Sequence, residues 1–573
     1  MTDTKRRERR PAAFTTALTV AFAAAFALAL TPARADDAAN AGESREESRG
    51  EYVHIRDERI EWAFLSSIAE GRAPGTAVQS VSRSEARQRG LVPRGSVSDG
   101  PAPADGFVRG TVSVQPFAMG WSGLDPETDK AGRSLALRDS SRLGRLGLAD
   151  PVLACGLSFG TDSLFATTEI DFTTSSLAKH AKGTDVFGLW SAADYLSWWT
   201  FPGTAYVSWA GERVSLAAGR FRTGIGFGES NLFLNGTAPW YDHLEWSFWL
   251  GKFRFFSLWG SSSSQLNEAE YAVQGVDWDT LDNHDASTAS VTALKLFSYH
   301  YLEFMPLDWL GLGLGEMQMI GGKVPELAHL LPLSFWHNTY SAGSSNVMLL
   351  ATAWAVPLKG LLVRGEFVMD DSKAPSEHGT AKPNCWAWEA GLTWVVPSRP
   401  AGWMLTVDAE YSHADQWTYA RWQPYLTMYQ RQTLTGGWNG LDVPLGHPDG
   451  GDVDKVSLRL IARARRGKRI ELGYAWTMKG PVYLGMIADV GGTPTPVYYD
   501  FDDWATEGDL DDLLGTTRKH VHGIDARVVW PVARAWKVDA SVDFRVVLNA
   551  GHVRGNTEYE TVWKIGLARE FGR

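Results

Sequence analysis

The stretch from Trp536 to Asn549, WKVDASVDFRVVLN, alternates between apolar and polar side chains. Every even-numbered position is apolar, and six of the seven odd-numbered positions are polar. Because successive side chains of a β-strand point to opposite faces, this period of two predicts a strand with one apolar and one hydrated face.

The same alternation returns along the C-terminal third of the chain. Strands of about ten residues with one apolar and one polar face are typical of an outer-membrane β-barrel with a hydrated interior. A soluble β-sandwich also alternates, but it does not need tryptophan at repeated strand ends, and this chain has 26 tryptophans. The further alternating segments are 386–396, 403–412, 456–465, 469–478 and 558–571.

The connections between these segments fall into a short set and a long set. If the last strand ends in the periplasm, every short connection falls on the periplasmic side and every long one outside, which is the asymmetry expected of such barrels. The short connections are 397–402, 466–468 and 531–535, and the long ones are 370–384, 424–454 and 479–517.

We therefore predict an all-β fold, a transmembrane antiparallel β-barrel of about 16–18 strands in the outer membrane of a diderm bacterium. The barrel occupies residues 107–573, with about eight strands after residue 360. Less regular alternation in the first half predicts strands over 107–118, 152–173, 204–221 and 250–261.

The first 35 residues have the pattern of a signal peptide. A basic start precedes an Ala-rich apolar stretch, and Ala33-Arg34-Ala35 offers a cleavage site. The alternative is an uncleaved membrane anchor. No later run reaches the roughly 18 apolar residues that a membrane helix needs.

Residues 36–106 are polar and are predicted to form a small helical periplasmic extension, with a linker from about residue 91. The first helix is indicated by apolar residues four positions apart, and the second by a capping box. These markers are Ile60, Phe64 and Ile68 for the first helix and Ser82 with Glu85 for the second.

Composition excludes several classes of protein. The formal net charge of −11 disfavours nucleic acid as a partner, because phosphate binding needs clustered lysine and arginine. Two cysteines, Cys155 and Cys385, cannot form a disulfide framework, and whether they pair is left open.

Three short motifs have structural alternatives. Segment 156–160 matches a hydrolase nucleophile elbow, but that motif needs a strand-to-helix turn and this one lies in a strand-like run. His520 and His522 could form a metal pair, but no third ligand is near, so a hydrated lumen or rim position is favoured. Alternate glycines at 224–228 and 311–315 indicate close packing of the chain. We predict no catalytic residue, metal or cofactor.

Polar side chains recur along residues 300–371. Because carboxylates on strands cannot face lipid, we predict that they line the lumen, as a hydrogen-bonded network that holds the barrel shut rather than as a catalytic site. His300 and Glu303 have opposite parity, so both face inward only with a bulge or a strand end between them. The set is His300, Glu303, Glu316, Asn338, Asn346, Glu366, Asp370 and Asp371.

Several motifs follow one another over roughly residues 200–455. They are Gly219-Arg220-Phe221-Arg222-x-Gly224-x-Gly226, Asn231-Leu232-Phe233-Leu234-Asn235, His300-Tyr301-Leu302-Glu303, Gly365-Glu366, Glu410-Tyr411, Tyr419 and Pro444-Leu445-Gly446-His447. Their order resembles the Wzi capsule-assembly family of outer-membrane proteins. The resemblance implies a barrel of about eighteen strands with periplasmic helices, acting as a lectin that holds capsular or exopolysaccharide at the cell surface. It also adds Arg220 and Arg222 to the predicted lumen network.

The first functional hypothesis is a non-enzymatic polysaccharide-binding barrel. Aromatic side chains in the connection after strand 403–412 would stack on sugars and arginines would donate hydrogen bonds, although several of the aromatics could instead belong to the membrane's aromatic belt. The predicted partners are outer-membrane lipid, surface polysaccharide and the barrel-assembly machinery. The predicted ligand-binding residues are Trp417, Tyr419, Arg421, Trp422, Tyr425 and Arg431.

The second hypothesis is a porin-like channel for small solutes, because charges in a lumen tune selectivity. An outer-membrane lipid hydrolase is a third class, for which the sequence offers no convincing nucleophile and base. The charged positions expected to line a channel are Arg459, Arg463, Asp525, Arg527, Asp539 and Asp543.

Overall fold

The computed structural model describes most of the chain from residue 48 onward, and the predicted signal peptide lies outside the described residues. The described ranges are 48–91, 106–122, 153–172, 183–186, 203–238, 240–262, 295–321, 324–339, 345–372, 384–398, 402–421, 424–435, 439–464, 467–480, 517–533 and 536–572.

The described strands form a closed antiparallel barrel of 18 strands, which confirms the predicted fold class. In its first half the strands are β3 Phe107–Val114, β4 Phe117–Ser122, β5 Leu153–Gly160, β6 Leu164–Phe172, β7 Gly183–Val186, β8 Thr204–Ala210, β9 Val214–Phe221, β10 Tyr241–Leu250, β11 Phe253–Ser261, β12 Lys295–Leu307 and β13 Leu310–Gly321. In the second half they are β14 Ser345–Leu358, β15 Leu361–Asp371, β16 Cys385–Ser398, β17 Trp403–Ala414, β20 Val453–Ala464, β21 Lys468–Lys479, β22 Lys519–Ala533, β23 Trp536–Leu548 and β24 Thr557–Gly572.

At two positions in the barrel wall, two short strands lie end to end and together count as one of the 18 strands. β3 and β4 form the first of these pairs, because both pair with β24, and this pairing closes the barrel. β5 and β7 form the second, because β5 pairs with β3 and β7 pairs with β4.

The predicted short connections are the short turns of the structure, at β16–β17, β20–β21 and β22–β23. In the first half, each of the segments 152–173 and 204–221 is a hairpin of two strands rather than one strand. Polar turn residues interrupt both segments: the Thr161 N–H donates to the Leu164 carbonyl at 2.8 Å, and the Gly211 N–H donates to the Val214 carbonyl at 2.9 Å.

Residues 48–91, here called the plug, belong to the predicted helical extension 36–106, and they pack into the short-turn end of the barrel. The plug holds a two-stranded sheet and two helices, and the first helix ends at Gly71 in the left-handed conformation. The Gly360 N–H donates to the Ile68 carbonyl and the Ala73 N–H to the Asp308 carbonyl, both at 2.8 Å. Its elements are β1 Tyr52–His54, α1 Glu58–Glu70, β2 Ser80–Ser82 and α2 Arg83–Gln88.

Two connections fold in from the long-loop end. The first, residues 222–240, is called the inner connection, and the second, residues 415–452, is called the cap. The cap contains the hairpin of β18 Tyr429–Thr435 and β19 Asn439–Pro444. One apolar core joins both connections to the plug and to the wall from β10 to β17.

Most of the outside of the described barrel is apolar. Large side chains such as Leu314, Trp394 and Ile565 stand at outward positions and are exposed. A closed barrel with such an exterior satisfies its backbone within lipid. Among the described residues, no helix has both the length and the apolar character to cross a membrane.

Candidate functional site

A cluster of charged side chains holds the lumen side of β15, β16 and β17 together. Alternation places Arg364, Glu389, Asp408 and Glu410 inward on three neighbouring strands. Arg364 contacts Glu389 at 3.1 Å, Asp408 at 3.1 Å and Glu410 at 2.8 Å. One guanidinium therefore contacts three carboxylates in a site where its own side chain is 2% exposed.

The inner connection is fastened to this cluster through its backbone. Glu410 accepts hydrogen bonds from the Glu229 and Ser230 N–H groups, both at 2.9 Å. Glu366 accepts one from the Leu232 N–H at 2.9 Å. A Cβ at Gly228 would overlap the Glu410 carboxylate, so glycine is needed for this close approach.

The plug is fastened to the wall by a second buried cluster. Glu303 on β12 accepts hydrogen bonds from the Thr76 hydroxyl at 2.8 Å and the Ala77 N–H at 2.6 Å. Arg254 on β11 pairs with Glu85 of the plug and lies 3.6 Å from Glu303. Ser82 caps the second helix as predicted, because its hydroxyl accepts from the Glu85 N–H at 3.3 Å. The Glu85 carboxylate, which was predicted to complete the capping box, turns to Arg254 instead.

The cap is held by the third set of contacts. Asp370 accepts a hydrogen bond from the Tyr419 N–H at 2.8 Å and pairs with Arg421 at 2.9 Å. Asn346 accepts a hydrogen bond from Arg421 at 2.7 Å. The Tyr419 hydroxyl donates to the Leu232 carbonyl at 2.9 Å, which joins the cap to the inner connection.

Four wall residues of the predicted lumen network, Glu303, Asn346, Glu366 and Asp370, point inward and contact the infolded segments. Arg222 lies in the inner connection and donates to the Gly236 carbonyl at 2.9 Å. Asn338 lies in a short 3-10 helix, Trp336–Thr339, and its side chain is outside the described part of the structure.

Three members of that network were placed wrongly, because Arg220, His300 and Glu316 are on the outer face of the wall. No bulge separates His300 from Glu303, so their opposite parity puts His300 outside. His300 and Glu316 contact each other at 3.1 Å. A segment folded over the outside of the barrel covers both side chains. The prediction assumed that every carboxylate on a strand lines the lumen, and it did not allow for such a segment.

The predicted sugar-binding residues divide into buried and partly exposed positions. Trp417 and Tyr419 are 5% and 0% exposed, so neither ring presents an open face in this conformation. Arg421 is engaged with Asp370, and Tyr425 is half-buried, with a pKa that burial raises. Trp422 lies outside the described residues, and Arg431 is on β18 with a side chain that is not described.

The two sides of the lumen differ in hydration. Inward charges on the wall from β20 to β24, here called the hydrated side, remain partly exposed: 32% for Asp525, 33% for Asp543 and 27% for Arg545. Arg527 pairs with Asp539 at 2.6 Å. The charged positions expected of a channel all face inward here. The part of the lumen next to the wall from β10 to β17, by contrast, is filled by the apolar core.

The remaining motifs supply no reactive group. Segment 156–160 lies within β5 and has no strand-to-helix turn. His520 and His522 share the outward face of β22, so a lumen position is wrong for both and the rim alternative remains. The described residues contain no group of three or more His, Cys, Asp or Glu that could hold a metal, and both cysteines are free thiols.

Sequence reasoning missed Arg254, Arg364, Glu389 and Asp408. Their charged partners lie between 25 and 169 residues away in the chain, as in the pairs of Arg364 with Glu389 and of Arg254 with Glu85. The alternation did place Glu389 on the polar face of its strand, and this was the available signal.

The sequence matches no protein-family model, and no curated protein matches it. Among solved structures, Wzi of Escherichia coli, described as a carbohydrate-binding β-barrel involved in group 1 capsule assembly, has 12% identity and a TM-score of 0.50, over 90% of this chain and 98% of that chain. OccK3 of Pseudomonas aeruginosa has 8% identity and a TM-score of 0.38, over 81% and 96% of the two chains. The channel DcaP of Acinetobacter baumannii has 10% identity and a TM-score of 0.32, over 81% and 97%. The chain is thus an outer-membrane β-barrel whose fold is similar to that of Wzi.

Proposed function

We propose that this protein binds and retains capsular or exopolysaccharide at the cell surface and performs no chemistry of its own. The observation that carries the proposal is the shared fold with Wzi, a carbohydrate-binding barrel, over nearly the whole length of both chains. The contacts of the cap support it, because Asp370, Asn346 and Leu232 hold the cap against the wall and the inner connection, and a surface that is already ordered binds with less loss of entropy.

The cap is the proposed binding surface, and its residues have two kinds of role. Trp417, Tyr419 and Arg421 are positioning residues, because they are buried or engaged with Asp370 and Leu232. The proposed sugar contacts are Trp422, Tyr425 and Arg431.

A glycan array probed with the purified mature chain in detergent tests this function. We expect selective binding to an acidic or neutral polysaccharide. The double variant W422A/Y425A should lose at least tenfold in affinity. The matched control is Val553→Ala, at an exposed position of the β23–β24 connection, outside the cap at the same end of the barrel. Absence of any glycan binding by the parent chain would overturn the proposal.

A second candidate function is a channel for small solutes, and the exposed charges of the hydrated side favour it. Conductance of the purified protein in planar bilayers separates the two functions, because the polysaccharide-binding proposal expects a nearly silent barrel. Stable single-channel steps whose ion selectivity changes in Asp543→Lys would establish the channel.

A further inference from the structure

The outer face of the wall carries a polar strip near the long-loop end of β12 and β13. Towards the short turns, outward positions such as Leu302 and Leu314 are apolar and exposed. Above them stand His300, Glu316 and Gln318, at positions where a membrane barrel normally faces hydrocarbon. On β16, by contrast, the outward positions from Val396 to Trp386 are all apolar.

A segment between β13 and β14, residues 324–339, lies over this strip and is called the cover. It contains helix α3, Leu327–Leu330, and the 3-10 helix Trp336–Thr339. Wall side chains satisfy its backbone: Glu316 accepts from the Trp336 N–H at 2.8 Å, and Gln318 donates to the His329 carbonyl. The His300 ring stacks on Trp336 with 4.1 Å between centroids.

These contacts satisfy the irregular backbone of the cover where it lies on the outer face of the wall. Non-helical backbone is tolerated there only where protein satisfies its polar groups. Within the cover, the Leu331 carbonyl accepts hydrogen bonds from the Ser334 N–H at 3.2 Å and the Trp336 indole N–H at 3.1 Å. The polar strip therefore serves the cover and is itself hidden by it.

The opposite face of the cover is apolar and fully open. Leu327 is 79% exposed, Leu333 78% and Phe335 74%. Apolar patches of this kind on a protein surface mark contact with a partner or a membrane. Because the cover lies on the outside of a membrane barrel, the surrounding lipid is the partner with the matching chemistry.

A cavity of about 580 Å³ opens beside the cover on the same outer face. Leu296, Ile320 and Leu330 form part of its mostly apolar lining. The Ser298 hydroxyl and the Trp259 indole N–H, both on lining residues, are buried without a hydrogen-bond partner among the described residues. An apolar cavity with a few polar groups in its lining suits an amphipathic ligand.

We propose that the cover and this cavity form a docking site for outer-leaflet lipid. Acyl chains contact the exposed face of the cover. One diacyl lipid inserts a chain into the cavity and places its ester or amide linkage near Ser298 and Trp259. The bidentate Arg220–Asp242 pair, with contacts of 2.6 and 2.7 Å, also lines the cavity and faces the lipid linkage.

Spin labels measure whether the cover lies in lipid. Labels at Leu333→Cys in the full chain, reconstituted in phosphatidylglycerol vesicles, should be accessible to oxygen and protected from a water-soluble nickel chelate. Leu314→Cys on the bare wall is the lipid reference and Val553→Cys the water reference. The native cysteines are replaced by serine in all three. A label at residue 333 that behaves like the one at residue 553 would overturn the proposal.

Native mass spectrometry of the protein released from phosphatidylglycerol nanodiscs measures the cavity. We expect the parent chain and the control Leu314→Trp to retain one lipid, and the cavity-filling variant Leu296→Trp to retain at least tenfold less. A parent chain that retains no lipid, or a variant that retains as much as its parent, would contradict the cavity assignment. Neither measurement depends on polysaccharide binding, so this proposal and the proposed function can fail separately.

Discussion

Glu410 on β17 contacts Arg364 on β15 across an intervening strand, with 2.8 Å between Oε2 and Nη2. The same carboxylate accepts the two backbone hydrogen bonds that fasten the inner connection. Arg364 thus neutralises a group on which the packing of the lumen depends.

Substitution of Arg364 by Met should destabilise the barrel by about 3–5 kcal/mol, because buried carboxylates lose their counter-charge. Arg545→Met is the matched control: Arg545 is on the hydrated side, 3.5 Å from Asp543, and its loss should cost less than about 1 kcal/mol. Urea midpoints in detergent micelles measure both. Equal shifts of the urea midpoint in the two variants would show that the stability of the cluster does not depend on Arg364.

Gly228→Ala should displace the inner connection from the wall, because the new Cβ would overlap Glu410. The expected loss of stability is about 1–3 kcal/mol, as for other overpacked sites. Conductance in planar bilayers should rise above that of the parent chain. Gly110→Ala, at a site with nothing within 4 Å of the added Cβ, should change neither quantity.

The cap should lose stability in acid through His447. Burial lowers the pKa of His447 to about 3, from an ordinary value of 6.5. Between these values the unfolded chain binds more protons than the folded one, so the free energy of unfolding falls as pH decreases through this window. The loss from pH 6.5 to pH 5 is about 1.6 kcal/mol, because the slope reaches about 1.4 kcal/mol per pH unit only once the unfolded histidine is mostly protonated.

The variant His447→Gln isolates this contribution. In the folded protein the His447 ring bonds to the Ser412 hydroxyl at 2.9 Å and accepts from the Asp449 N–H at 3.0 Å, so the amide can replace part of the pairing. Urea midpoints at pH 6.5 and pH 5 should differ less in the variant than in the parent. An unchanged pH dependence would mean that His447 does not titrate in this range.

The two faces of the strands, the lengths of the turns and the approximate number of strands could be predicted from the sequence, because each follows from the order of apolar and polar residues within a short segment. A strand such as Trp536–Leu548 shows its two faces without any partner. The position of the plug was not readable, because Ile60, Phe64 and Ile68 reveal an apolar helix face but not the surface that covers it.

The site residues could be predicted only where a polar residue stands at an inward-facing position of its strand. Glu303, Glu366 and Asp370 were found on this basis. His300 and Glu316 were misplaced because their outward positions are made tolerable by the cover, whose packing depends on contacts such as Trp336 with Glu316. Pattern rules describe one strand at a time, whereas these exceptions arise between distant segments.

The two roles assigned to cap residues predict different responses to substitution. Trp417→Ala should lower stability by about 3–5 kcal/mol, as for other buried tryptophans, and weaken polysaccharide binding in consequence. Tyr425→Ala, at a half-buried position, should weaken binding with little change in the urea midpoint. The comparison pairs a binding isotherm with an unfolding curve for each variant. If Trp417→Ala loses binding while its unfolding curve stays that of the parent chain, the ring contacts sugar directly and its assignment as a positioning residue is wrong.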